Sequence, residues 1–166
     1  MRYYDFYDSP QGQMLLVADG AGLCGVYFRG QKYYPQVASP LRRDARHPPL
    51  RQAKRELSEY FAGKRKRFEV ALAAEGTPFQ HAVWKAIAGV GFGQTITYTE
   101  LARRAGYPGS ARAAGAATGR NPIGVIVPCH RIIGADGSLT GYAGGLAIKR
   151  ALLALEAGTR ELVLAA

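Results

Sequence analysis

Cysteine is scarce in this 166-residue chain, with Cys24 and Cys129 as its two thiols. Neither lies near another cysteine or a paired histidine, which excludes a disulfide framework and any zinc cluster of recognisable spacing. His47, His81 and His130 stand too far apart in sequence to mark a metal site by themselves. No run of about eighteen apolar residues occurs, and the N-terminal stretch MRYYDFYDSPQG has no basic segment leading into an apolar one. Internal repeats and low-complexity segments are also missing. These absences predict a cytoplasmic protein with no membrane partner, no metal and no cofactor.

Acidic residues are the other shortage. Twelve Asp and Glu face 22 Lys and Arg, giving a net charge of +10 and a pI near 9.9. Most of the excess is arginine, whose planar fork grips phosphate bidentately, so an anionic partner is expected. Charge alone does not separate a nucleic-acid binder from a merely basic surface. With 48% hydrophobic and 20% charged residues, the composition is that of a folded globular protein of one core or two small ones.

The first part of the chain reads as β-rich. YYDFYDS and QMLLVADGAGLCGVYFRG hold short apolar runs broken at Asp19-Gly20 and Gly22, a hairpin pattern. YYPQVASPLRRDARHPP is proline-rich and reads as loop. From Leu50, the residues Ala53, Leu57, Tyr60 and Phe61 follow helical spacing, and Gly63 is placed to end the helix. RFEVALA then alternates as a strand does. At Glu75-Gly76 the character changes, because TPFQHAVWKAIAGV opens a helix with Thr77 as cap, Pro78 in the first turn and Phe79, Val83 and Ile87 on one face. The expected class is α+β, with a small N-terminal β-sheet domain bearing a helix (1–75) and a mostly helical C-terminal domain (76–166).

Within the second domain, TYTELARRAGYPGSARAAGAATGRNP has the form of a helix-turn-helix. Thr97 and Glu100 stand in capping-box relation, the turn runs through Tyr107-Pro108-Gly109, and a small-residue helix restarts at Ser110 with Arg112 projecting from its first turn. An ordinary helical hairpin packed through alanines has the same pattern. Further on, five glycines between Gly134 and Gly145 make a loop that permits close backbone approach to a ligand. A final helix places Leu146, Lys149, Leu153 and Glu156 at helical spacing. Its Glu156 occupies the last turn, where the helix dipole disfavours an acid, which hints at another task.

The stretch VIVPCHRIIG carries the chemistry-bearing pair. Its β-branched run predicts a strand ending at Cys129, beside His130. A free thiol is only slightly ionised at neutral pH, so a nucleophilic Cys129 requires a base or cation. Strand neighbours point to opposite faces, and His130 can serve only if Pro128 breaks the alternation or a water intervenes. A working histidine also needs an orienting group, for which Glu156 is the candidate. A small core cysteine and a satisfied core histidine are the bland alternative.

The combination is more specific than its parts. PCHR at 128–131, Asn121-Pro122 before it, the Gly-Tyr-x-Gly-Gly loop at 141–145 after it, and the helix pair carrying Tyr98 and Arg112 together resemble the O6-alkylguanine-DNA alkyltransferases. The resemblance spans residues 77–156 and implies a ribonuclease-H-like N-terminal domain. It implies that Cys129 accepts the alkyl group once and irreversibly, activated by His130 through a water, with Glu156 holding the imidazole. Asn121 would be the hinge between recognition helix and active site. Arg112 would fill the space left by a flipped base, and Tyr98 would crowd the phosphate and offer a proton to the departing base. Tyr142 and Ala143 would close over that base, while the carbonyls of Cys129 and Ile132 accept from its exocyclic amine. The partner would be double-stranded DNA bound by a monomer through the minor groove, with Ser110 and Arg120 bounding the helix that lies on it. The small side chains of Ala111, Ala113, Ala114 and Ala117 suit that narrow groove. Ala143 stands where a serine is often found, Gly124 where some members have proline, and Gly119-Arg120 reverses an Arg-Gly order.

Two other functions fit the residues. A lesion sensor would bind without repairing, although the known kind lacks the cysteine. A cysteine hydrolase would use Cys129 and His130 on a small ester or amide and would have no need of Arg112.

Overall fold

The computed structural model describes residues 1–37 and 40–158. The chain divides into two compact units, Met1–Glu75 with Pro122–Gly124, and Gly76–Asn121 with Val125–Ala166. The second unit is thus interrupted in sequence, where a single cut near residue 75 was expected.

The first unit is built on a meander. Strands β1 (Tyr3–Ser9), β2 (Gly12–Ala18) and β3 (Leu23–Phe28) pair antiparallel, and the short β4 (Arg42–Arg43) joins β1 in parallel, for a sheet order β3-β2-β1-β4. Asp19 shapes the β2–β3 turn by accepting from the N–H groups of Ala21 and Gly22. Alternation along β2 sends Leu15 and Val17 to one face, where they join Cys24 beneath Tyr4, Phe6 and Tyr27. Helix α1 (Pro48–Phe61) packs on the sheet through Leu50, Ala53, Leu57 and Tyr60. Gly63 follows in the left-handed region at φ 75°, ending the helix as the sequence predicts.

The expected strand in RFEVALA does not form. The N–H groups of Glu69 and Val70 donate to the buried Glu56 carboxylate on α1 rather than to a neighbouring strand. Only Leu72 makes a bridge, to Leu23. Gly22 allows that approach, since a Cβ there would stand 2.5 Å from the Ala71 carbonyl oxygen. The same open edge of β3 is covered by residues 122–124, with Val26 donating to Pro122 O at 2.8 Å and Gly124 donating to Val26 O at 3.1 Å. An exposed strand edge is thereby closed.

The second unit is mostly helical. Helix α2 (Pro78–Ala88) begins with a full capping box between Thr77 and Gln80. A two-residue strand β5 (Ile96–Thr97) leads into α3 (Tyr98–Arg104), and α4 (Ala111–Gly119) follows a turn. Thr97 caps α3 by accepting from the Glu100 N–H, but Glu100 does not complete a box; its carboxylate binds Arg103 and Arg104 instead. Helix α4 packs against α2 and α3. The chain then makes a 3-10 turn at Cys129–Arg131, a short strand β6 (Ile132–Ile133) parallel to β5, and helix α5 (Leu146–Ala157). No helix among the described residues is long and apolar enough to cross a membrane.

Candidate active site

The β-branched run before the cysteine is not a strand. Val125 sits at φ 68°, a conformation costly for a β-branched side chain and incompatible with a ladder. Pro128 at φ −82°, ψ 64° closes a tight turn in which the Cys129 N–H donates to Val127 O at 2.8 Å. Cys129 therefore opens a 3-10 turn instead of ending a strand. Successive side chains in such a turn are about 120° apart, so the strand alternation that would separate thiol and imidazole is absent.

The whole turn is buried, with Cys129 8% and His130 0% exposed. Asn121, just past α4, donates from Nδ2 to Val127 O at 2.9 Å and so ties the end of α4 to the turn. His130 Nε2 lies 2.6 Å from Glu156 Oε2. Arg131 holds the same carboxylate from a second side, Nε to Oε1 at 2.7 Å and one terminal nitrogen to Oε2 at 2.9 Å, while its other terminal nitrogen donates to Val90 O at 2.7 Å. Gly93 adds a backbone N–H at 3.4 Å from Oε1. These donors offset the unfavourable place of an acid in the last turn of α5. Among the described residues, His130 Nδ1 is the one buried side-chain nitrogen or oxygen without a hydrogen-bond partner in the protein.

Burial sets the electrostatics. It pushes the Cys129 thiol above its usual range, against the pull of the Asn121 hydrogen bond and the Lys149 charge. It holds His130 below its usual value, although the Glu156 hydrogen bond and charge pull upward. At neutral pH the resting pair is a thiol and an imidazole, not an ion pair. Lys149, fully buried on α5, directs Nζ at the carbonyls of Ile132, Thr140 and Gly141 at 2.6, 3.0 and 3.4 Å. One ammonium thus fastens the glycine-rich loop to the strand that follows the cysteine. No cluster of three or more His, Cys, Asp or Glu fit to hold a metal occurs among the described residues.

The description "6-O-methylguanine DNA methyltransferase, DNA binding domain" matches residues 78–158, and its "ribonuclease-like domain" matches residues 2–74. The chain belongs to the 6-O-methylguanine DNA methyltransferase family. A Methanosarcina acetivorans relative, named methylated-DNA–protein-cysteine methyltransferase, is 48% identical over 155 residues, covering 93% of this chain and 97% of the relative. One of the same name from Mycobacterium tuberculosis is 45% identical over 156 residues, covering 94% and 93%. The crystal structure of M. tuberculosis OGT in complex with DNA superposes with a TM-score of 0.85 at 43% identity, covering 93% of this chain and 92% of that one. The fold is the α+β architecture expected.

In this methyltransferase-family chain the remaining sequence-predicted residues fall into two groups. Tyr98, half-buried at the start of α3, packs its ring over Gly115, and its hydroxyl is 3.5 Å from Thr140 O. Tyr142 and Ala143 are half-buried in the loop that Lys149 fastens. The carbonyls of Cys129 and Ile132 already accept from the Ile132 N–H and Lys149, respectively. Arg112 and Ala113 are exposed on α4 and Arg120 just past its end, with Ser110 and Ala111 half-buried at its start. Ala114 and Ala117 face inward at 0% and 4% exposure, and Trp84 Nε1 donates to Ala117 O at 2.8 Å. Those two alanines serve helix packing and are not available to a groove.

Sequence reasoning missed Arg131 and the task of Lys149. Arg131 gave no periodic signal. Lys149 did: with Leu152 and Glu156 it forms the buried stripe of α5, while Leu146 at its start is 42% exposed. Two charges on the buried face of an otherwise apolar helix mark a polar interior site.

Proposed function

We propose that this chain repairs DNA by direct reversal, transferring an alkyl group from O6-alkylguanine, and from O4-alkylthymine as a second lesion, irreversibly to its own Cys129. The observation that carries the reading is the Glu156–His130 pair. With Nε2–H donated to Glu156, Nδ1 is left as the acceptor, unpartnered and one residue from the thiol. A water between Sγ and Nδ1 relays the thiol proton to His130 as the sulfur–carbon bond forms and the carbon–O6 bond breaks. The freed electron pair leaves on the guanine, which takes a proton from Tyr98, and His130 returns its proton through solvent to the tyrosinate. The products are S-alkylcysteine and neutral guanine. Nothing in the site reverses a thioether, so each molecule acts once.

The lesion must leave the base stack to reach a buried sulfur, at a cost of a few kcal/mol. Arg112 is exposed where it can fill the gap, and Ser110, Ala111, Ala113 and Arg120 flank it on the minor-groove side of α4. Asn121 is the hinge between that helix and the cysteine turn. Tyr142 and Ala143 close on the base, and the carbonyls of Cys129 and Ile132 receive its amine. The chain acts as a cytoplasmic monomer, with residues 1–75 making up most of the supporting domain and 76–166, apart from 122–124, the DNA-binding and transfer domain. The test is intact-protein and peptide mass spectrometry after incubation with an O6-methylguanine duplex. One added methyl, about 14 Da, is expected on the Cys129 peptide and on no other. An unmodified Cys129 after long incubation refutes the reading.

A further inference from the structure

We propose that the first unit carries a second phosphate-binding surface, a band of cations along α1, that engages the backbone of duplex DNA without regard to sequence. The partner's identity rests on the repair reading above; the surface itself does not. Arg51 and Arg55 lie one turn apart on the outer stripe of α1, which continues through Ser58 and Ala62 and is exposed at all four positions. Lys54 sits beside them and shares the buried Asp5 carboxylate with Arg43, at 2.8 and 3.2 Å. At the other end the chain reverses at Gly63 and returns as Lys64-Arg65-Lys66-Arg67. Arg65 reaches back to Glu59 at 3.1 Å, the same carboxylate that Arg55 approaches at 4.0 Å. Two shared carboxylates therefore join the sheet edge, the helix and the basic loop into one continuous band. Its acids, Asp5, Glu59 and Glu69, are outnumbered by its bases.

The shape of the band favours a rod of phosphates. Helix α1 has 14 residues and so runs about 21 Å, a length over which one strand of a duplex presents several phosphates. A lipid surface would call for large apolar side chains among the cations. Among the described residues the exposed large hydrophobics are Met1, Tyr33, Leu72, Tyr107 and Leu146, and none of them lies between Pro48 and Arg67.

The test uses the full chain and two variants, Lys64→Ala/Lys66→Ala/Arg67→Ala and Arg51→Ala/Arg55→Ala, each checked by thermal melting. Affinity for an unmodified duplex is measured across a salt series. Each lost phosphate contact removes about 0.9 from the log–log salt slope, so the triple variant is expected to lose about 2–3 and the double variant about 1–2. Both variants should still take one methyl from a short single-stranded oligonucleotide bearing O6-methylguanine. Slopes equal to wild type in both variants overturn the proposal. So does wild-type binding to phosphatidylserine vesicles that the variants lose while their DNA slopes stay unchanged. If slopes fall but not even the wild type accepts a methyl, the band stands and the repair reading fails.

Discussion

Replacing Glu156 by glutamine removes one charge from a cluster in which its partners stay buried. His130 and Glu156 side chains are 0% and 1% exposed and Arg131 is 6% exposed, so water cannot substitute for the lost carboxylate. Breaking one partner of a buried ion pair costs about 3–5 kcal/mol, because the remaining charge is left uncompensated. With a urea dependence of about 2 kcal/mol per molar, the unfolding midpoint should drop by about 1.5–2.5 M. Replacing Arg131 by methionine as well removes the stranded cation, so the double variant should recover part of the loss, with a coupling of about 1–3 kcal/mol in the cycle. Transfer behaves differently. Without the carboxylate that orients and stabilises the imidazolium, single-turnover methyl transfer should slow by about 10²–10⁴-fold, and removing Arg131 should not restore it. Urea titrations and quenched-flow transfer on the same four proteins separate the two effects. A Glu156→Gln midpoint within about 0.5 M of wild type, or strictly additive losses in the double variant, would show that the cluster does not act as an ion pair.

Two further outcomes follow from the same geometry. With neutral His130 as the proposed base, held below its usual value by burial, transfer should be flat through neutral pH and fall only in acid, below about pH 6.5. A rate that climbs tenfold per pH unit between 6 and 8 would instead mean that attack waits on unassisted thiol ionisation. Arg112→Ala should slow repair of a fully paired duplex about 10–100-fold while sparing a single-stranded substrate, since extrusion costs a few kcal/mol only when there is a stack to leave. Equal losses on both substrates rule out the wedge role.

Much of this fold was legible because local signals and tertiary partners agree. Helix α2 has its cap, its proline and its apolar face written in eleven consecutive residues, and it forms as read. Helix α1 and its glycine stop do too. The misreadings share a cause, a polar partner that the local pattern does not reveal, whether near in sequence or far. RFEVALA alternates correctly for a strand, yet Glu56, more than ten residues earlier, takes the N–H groups that a ladder needs. Glu100 stands at the capping-box position, yet two nearby guanidinium groups outbid the backbone and hold its pKa down to about 2. Ala114 and Ala117 look as suited to a groove as Ala113 does, and only the docking of α4 against α2 and α3 decides which alanines face inward. In the site, Glu156 was legible because it violates the dipole rule. Arg131 breaks no rule, and its partnership exists only once α5 is docked.

The burial of both reacting groups has a consequence for a protein that works once. A thiol already ionised would react with any small electrophile that reached it, and each such event would consume a molecule. Cys24 illustrates what burial does to a cysteine with an acid beside it, its pKa being pushed to about 11 by burial first and the Asp19 charge second. Cys129 feels the same burial but has Asn121 and Lys149 pulling the other way. In the proposed relay the proton is thus held until a water-linked base takes it. That base is itself kept neutral by burial, with its far nitrogen already committed to Glu156. On the mechanism proposed above, both groups wait in their uncharged forms, and charge separates only as the alkyl carbon is attacked. A fixed carboxylate, held by Arg131 so that it cannot turn away, lowers the cost of that separation at the moment it arises. The site gains selectivity from the same burial that would otherwise make the sulfur inert.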